Sequence, residues 1–492
     1  MVIRKCTAFR QNFNILRYIY TNMTDTSPLL LPNQTAVPQD CLYNLKPSSV
    51  RARSYRASIP SSNKSVFNAS DQAILYIPGG RKGTYLDPNQ SYLKMTVQNN
   101  EAVAGANYFS FDNLATSIIN RIDTFHSGNS IDSLQQYNAL MSYIVDAQLN
   151  QSEKFGLSNI YGTSSSINLN LSRSGLTVYP GQRVTVCVPL LGAFGLGADK
   201  LIPIGQLYDD IRIEVSTASV VEAVCWSAVP ATVNPYSIID MQLELQIIEL
   251  SDEGQHMVES ITPFSSPVYM HANSWRHYVS TLPAALGGAY SALVPARFAS
   301  LKSLVVLPRR STEINLPNAY STSSRMNPCI SSYWFRCGAY MIPQRAVTLY
   351  STSNTGGHGE AFMELQKAFH GMNRPDMSTG IPFYQYNVVD LAAADLTIGG
   401  MGAPGQIVPA AGSLLLNSHQ NAFAIAQDLE CFANKTDLLL SGMNTLTSQI
   451  FFECNIGWGV AQQTPTVAFT LDYYANYDLI LCLDNGILSA KF

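Results

Sequence analysis

The chain has 492 residues, which exceeds what one hydrophobic core holds, so two domains are expected and three are allowed. Only 13% of residues are charged while 46% are hydrophobic, and 31 Gly and 25 Pro favour short strands and long loops over helices. Such a surface suits a protein that hides much of itself in an assembly, and equally a large all-β protein with ordinary loops; the net charge of −4 argues against wrapping nucleic acid as the main task.

Residues 1–47 read as an N-terminal arm. The opening "MVIRKCTAFRQNFNILRYIYTNM" carries Arg4, Lys5, Arg10 and Arg17 but no sustained apolar core and no small-residue cleavage site, so it does not read as a signal peptide, and Met23 is an alternative start. With Arg51, Arg53 and Arg56 these residues make a sparse basic cluster, read as a solvated arm rather than a polyanion site.

Strand-like runs with turn signals follow: "QAILYIPGG", "SYLKMTVQNN" and "NRIDTFHSGN". Then "SLQQYNALMSYIVDAQL" predicts a helix, with Leu134, Tyr137, Leu140, Met141, Ile144 and Val145 at helical spacing and a capping box from Ser133 to Gln136. Strands resume in "QRVTVCVPLL" and "DDIRIEVST". In "MQLELQIIEL", Met241, Leu243, Leu245 and Ile247 alternate with Gln242, Glu244 and Gln246, predicting a strand with one buried and one wet face. The charged segment "SDEGQHMVESITP" then reads as the end of a domain.

The second half repeats the rhythm. Strands are predicted in "SPVYMHANSW", "LKSLVVLPRR" and "SYWFRCGAYMIP", and a helix in "GEAFMELQKAFH" with Phe362, Leu365, Ala368 and Phe369 on one face. More strands come in "FAIAQDLECF", "SQIFFECNI" and "YDLILCLDNG", where Leu479, Leu481 and Leu483 alternate with Ile480, Cys482 and Asp484. The economical architecture is all-β: two consecutive antiparallel jelly-roll sandwiches with short helices in loops. The bounds are 48–262 for the first sandwich with its linker helix and 263–492 for the second.

Chemistry-bearing patterns are sparse. Nine cysteines (Cys6, Cys41, Cys187, Cys225, Cys329, Cys337, Cys431, Cys454, Cys482) contain no CxxC pair and suggest neither a zinc ribbon nor a disulfide scaffold; the reading is reduced, intracellular folding. Of the histidines (His126, His256, His271, His277, His358, His370, His419), none forms HxH or HExxH, and all are read as structural. Asp209 and Asp210 point to opposite faces of an extended chain and make a poor acid/base dyad. "PGGRKGTYLDP" lacks the phosphate-loop pattern and reads as a hairpin turn. No apolar run has the length of a membrane span. No catalytic, cofactor-binding or metal residues are assigned.

Several of these segments carry a family likeness. "LIPIGQLYDDIRIEVSTAS", "LELQIIELSDEGQHMVESI", "PARFASLKSLVVLPR", "SYWFRCGAYMIPQRAV" and "LLLSGMNTLTSQIFFECNI" resemble, in order, segments of the double-jelly-roll major capsid proteins of icosahedral double-stranded DNA viruses. The nearest-looking members are those of Polinton-like viruses, adintoviruses and virophages, with the nucleocytoplasmic large DNA viruses more distant. The likeness runs from about residue 65 to the end; the linker is less rich in Arg and Glu than the family's usual one, and the arm matches nothing.

The resemblance implies a non-enzymatic structural protein without cofactors, found in the virion capsid and assembled inside the host cell. Its partners would be itself, as a pseudo-hexagonal homotrimer, and neighbouring trimers of the lattice. Penton and minor or cement proteins would be further partners, with contact to an internal membrane or the genome through the arm; no small-molecule substrate is implied. The two helices and the loops "LLGAFGLGADK" and "LAAADLTIGGMGAPGQIVPAAG" are the candidates for contact between subunits, the Gly/Ala-rich stretch 392–412 by burial against a neighbour. The alternatives are a single-jelly-roll capsid or coat protein with long loops, and a carbohydrate-binding β-sandwich protein.

Overall fold

The computed structural model describes residues 49–102, 107–163, 174–314, 316–349, 359–369, 380–381, 383–386, 389–390, 421–431, 440–459 and 462–492. The arm, the stretch 392–412 and His358, His370 and His419 lie outside these residues.

The first half runs β1 (Ala52–Pro60), β2 (Val66–Phe67), β3 (Gln72–Ile77), β4 (Thr84–Asn99), β5 (Phe109–Asp112), β6 (Ile119–His126) and β7 (Asn129–Gln135). Helix α1 (Tyr137–Gln148) follows, then β8 (Ser174–Val178), β9 (Arg183–Pro189), β10 (Ile211–Thr217), β11 (Val224–Trp226) and β12 (Tyr236–Leu250). Helix α2 (Asp252–Ile261) leads to the second half: β13 (Val268–Leu282), β14 (Gly288–Val294), β15 (Leu301–Arg310), β16 (Ile330–Cys337) and β17 (Tyr340–Thr348). Helix α3 (Gly359–Ala368) precedes β18 (Ile425–Asp428), β19 (Ile450–Ile456), β20 (Phe469–Asp484) and β21 (Ile487–Lys491).

One strand order appears twice. In the first half one sheet is β1-β12-β4-β9 and the other β3-β10-β6-β7; in the second they are β13-β20-β15-β18 and β14-β19-β16-β17. If the eight framework strands of each half are counted along the chain, both halves read first-eighth-third-sixth and second-seventh-fourth-fifth. All these pairings are antiparallel. That is a jelly roll, built twice. A described helix stands between the fifth and sixth strands in each half, α1 in one and α3 in the other. Strands β5, β8 and β11 form an additional small sheet in the first half, and β21 folds back on β20 in the second.

Residue alternation explains the inner faces. Met241, Leu243, Leu245 and Ile247 of β12 are buried, and Phe109 packs edge-on against Phe111, Trp226 and Tyr236. Glu244 departs from the expected wet face: it is buried, because Arg56 and Ser58 on the neighbouring β1 close over it, at 3.2 and 3.0 Å. Two turns are tight two-residue loops with positive φ at both positions, Ser127-Gly128 between β6 and β7 and Asn485-Gly486 between β20 and β21.

Two local expectations change. Ser133 belongs to β7, so the capping box does not form; α1 starts after Gln136, which is left-handed and gives no side-chain cap. "PGGRKGTYLDP" is no hairpin, since β3 and β4 lie in different sheets and the loop crosses between them. The expected linker helix after β12 is present, capped by the Ser251 hydroxyl accepting from the Gly254 N–H, and β20 ends in a hairpin.

Core and surface positions are therefore expected to respond differently. Leu243→Ala should cost about 2–5 kcal/mol of stability, and Val233→Ala, at a side chain that is 93% exposed, about 0.5 kcal/mol or less. Denaturant-unfolding midpoints of the two variants check this.

Candidate functional site: the interface between the two sandwiches

The strands β15 and β20 bury both of their faces. In β20, Leu471, Tyr473, Tyr477, Leu479 and Leu481 are buried, and so are Asp472, Tyr474, Asp478 and Cys482. An antiparallel sheet with one wet face would not look like this; its outer face is covered by the first half of the same chain. Strand β7 packs against β13 and β21, and the Tyr474 hydroxyl donates to the Gln136 carbonyl at 2.9 Å. Helix α1 is buried on almost every side for the same reason: Tyr143 meets Phe369 with ring centroids 5.2 Å apart, and the Ala147 carbonyl accepts from the Gly380 N–H at 3.0 Å.

Four aspartates of the first half reach across this boundary. Asp112, at the end of β5, accepts from the Thr322 N–H at 2.7 Å and from the Ser323 hydroxyl. Asp132, in β7, accepts from the Ser274 hydroxyl of β13 at 2.6 Å and from the N–H groups of Ser133 and Ala193. Asp146, in α1, faces the buried Arg325 guanidinium on one oxygen and Lys154 at 2.7 Å on the other. Asp199 lies 2.6 Å from the imidazole of His271. A further bond runs the same way: the Leu488 N–H donates to His126 Nδ1 at 3.0 Å, whose Nε2 then donates to the Asp209 carbonyl at 3.2 Å within the first half.

Burial pushes the Asp132 carboxyl up, outweighing its three hydrogen bonds and the charge of Arg276. Asp472 is the opposite case. Burial disfavours its charge, but Arg309, at 2.6 Å, and His277, at 2.8 Å, outweigh this and hold it below the usual carboxylate range. This buried Asp472–His277–Arg309 group joins β20, β13 and β15.

The loop "LLGAFGLGADK", a candidate for contact between subunits, packs in part within the chain. Leu190, Ala193, Phe194 and Ala198 are buried, and Gly197 pairs with β13, its carbonyl accepting from the Asn273 N–H at 2.7 Å. A Cβ on Gly197 would stand 2.2 Å from the Asn273 carbonyl oxygen, so only glycine fits there.

His126, His271 and His277 take part in this interface or its supporting sheet, while His256 is solvent-facing on α2. Among the described residues no group of three His, Cys, Asp or Glu is placed to hold a metal ion, and Cys187, Cys225, Cys329, Cys337, Cys431, Cys454 and Cys482 are free thiols. The interfacial carboxylates were not singled out by sequence reasoning. The available signal was a single acid inside an apolar run, as at Asp146, in a chain with only 34 acids.

Removing one partner of the buried Arg325–Asp146 pair leaves a charge in the interior. Arg325→Met is expected to lower stability by about 3–5 kcal/mol, read as a lower thermal unfolding midpoint. Gly197→Ala should lower it as well, and should raise hydrogen exchange in β13 ahead of the remaining strands.

No protein-family model and no curated protein sequence matches the chain. Solved structures do match. The chain is similar to the PBCV-1 virus capsid protein (TM-score 0.60, 11% identity, 91% of this chain and 98% of that one). It is also similar to a protein of the Sputnik virophage (TM-score 0.55, 13% identity, 95% and 94%). A third likeness is to the Faustovirus major capsid protein (TM-score 0.53, 10% identity, 98% of each chain). The chain thus has the fold of these viral proteins, two jelly rolls in tandem.

Proposed function

We propose that this chain is the major capsid protein of an icosahedral double-stranded DNA virus. The observation that carries the reading is the end-to-end match to viral capsid structures, 98% of both chains in the Faustovirus case, together with the repeated eight-strand order. A coat protein with a single jelly roll would show that order once.

In this reading the chain is a building block rather than a catalyst. Its domains are the sandwiches at 48–262 and 263–492, preceded by the arm at 1–47. Three copies form a capsomer with a pseudo-hexagonal outline, because each copy brings two similar sandwiches, and the capsomers tile the shell of the virion. Closed symmetry repeats a few contacts many times, so individually weak contacts suffice. Penton and minor capsid proteins, and an internal membrane or genome reached by the arm, are the further partners. Large apolar side chains that the single chain leaves exposed, such as Tyr208, Val233, Ile261 and Tyr340, are the kind that neighbouring copies would cover.

Size-exclusion chromatography with light scattering, followed by negative-stain imaging of the purified full chain, tests this. The expected result is a stable trimer with a hexagonal outline. A monomer at all concentrations would overturn the capsomer reading.

A further inference from the structure

We propose that His271 is a pH-sensitive clasp between the two sandwiches: as imidazolium it ties Asp199 of the first to Asp478 of the second, and on losing a proton it lets the 190–210 connection loosen from the edge of β13.

The geometry demands two donors. Nδ1 stands 2.6 Å from an Asp199 oxygen and Nε2 stands 2.8 Å from an Asp478 oxygen. Carboxylates only accept, so both bonds form only when both ring nitrogens carry hydrogen. A neutral imidazole has one N–H and turns a lone pair toward the other carboxylate.

The two carboxylates are not equivalent. Asp478 is buried, accepts from the Ser300 hydroxyl, and has Lys302 at 3.6 Å, itself paired with Glu430 at 3.1 Å. Asp199 is 56% exposed and can return to water. Deprotonation therefore releases Asp199 and leaves the bond to Asp478. Asp199, Asp478 and, behind it, Lys302 with Glu430 are the charged groups around the ring, and the balance is negative on the side of the clasp.

The hydrogen bond to Asp478, followed by that to Asp199, raises the His271 pKa above the ordinary imidazole value against the effect of burial. The sign follows: the stabilisation is fully present below the ordinary imidazole pKa and is lost as pH rises through the raised one. Two backbone bonds, from Asn273 N–H to the Gly197 carbonyl and from Asp199 N–H to the His271 carbonyl, hold the strand-like pairing at Ala198 and Ala272. The clasp closes the open end of that pairing.

Hydrogen exchange of the full chain at pH 6 and pH 9, corrected for intrinsic exchange, reads the clasp. In the wild type, peptides from 190–210 should lose protection on the order of tenfold at the higher pH, while peptides from 469–484 stay protected and report an intact fold. His271→Gln should show the loosened level at both pH values. Asp199→Asn, a conservative change at a half-exposed side chain, should lose most of the pH response and covers the case in which His271→Gln fails to fold. A wild-type loop with the same protection at both pH values, or an Asp199→Asn variant with an undiminished response, would overturn the proposal.

Discussion

A sheet with two apolar faces has to be covered twice. The second sandwich has such a sheet: β15 and β20 are buried on the side of their own partner sheet and again on the outside. At this boundary β7 of the first sandwich packs against β13 and β21, Gln136 bonds Tyr474, and the 190–210 connection runs along β13. Most other features of the interface follow from that need. Helix α1 is buried all round because it is packed between two bodies, and Gly197 is glycine because two backbones meet there.

Polar groups at this boundary are matched in pairs. The aspartates Asp112, Asp132, Asp146 and Asp199 come from the first sandwich, and the donors Thr322, Ser323, Ser274, Arg325 and His271 come from the second. Burying charge gains little net stability even when it is paired, but a mismatch at Asp112, Asp132 or Asp146 leaves a polar or charged group unmatched in the apolar interior. The arrangement therefore selects one docking angle between the sandwiches. An apolar contact alone would tolerate several.

Much of the fold was legible in the sequence. Period-two runs located most of the long strands, and the segment after Leu250 separated two strand sets of the same order. The interface was not legible, because its partners are far apart along the chain: Arg325 and Asp146, or Leu488 and His126, carry no local mark of each other. The wet face assigned to Glu244 failed for a related reason, since alternation does not say whether a neighbouring strand closes over a side chain. At Ser133 a capping pattern was present but lost to strand pairing, as β7 continues through the position where the cap would sit. The loop at 190–200 is apolar, which did signal burial; that the covering surface belongs to the same chain could be seen only in three dimensions.

The strand order also fixes a sequence of events during synthesis. In each sandwich the first strand pairs with the last, Ala52 opposite Leu250 and Val268 opposite Leu483. Neither sandwich can close until its final strand has left the ribosome, and such long-range closure is slow. The first sandwich is complete when the linker helix emerges, so it can serve as a ready template while the second is still being made. The bond from Leu488 to His126 is made by β21, which follows the last framework strand. Deleting β21 would thus leave two sandwiches with all their framework strands but without this stitch between them.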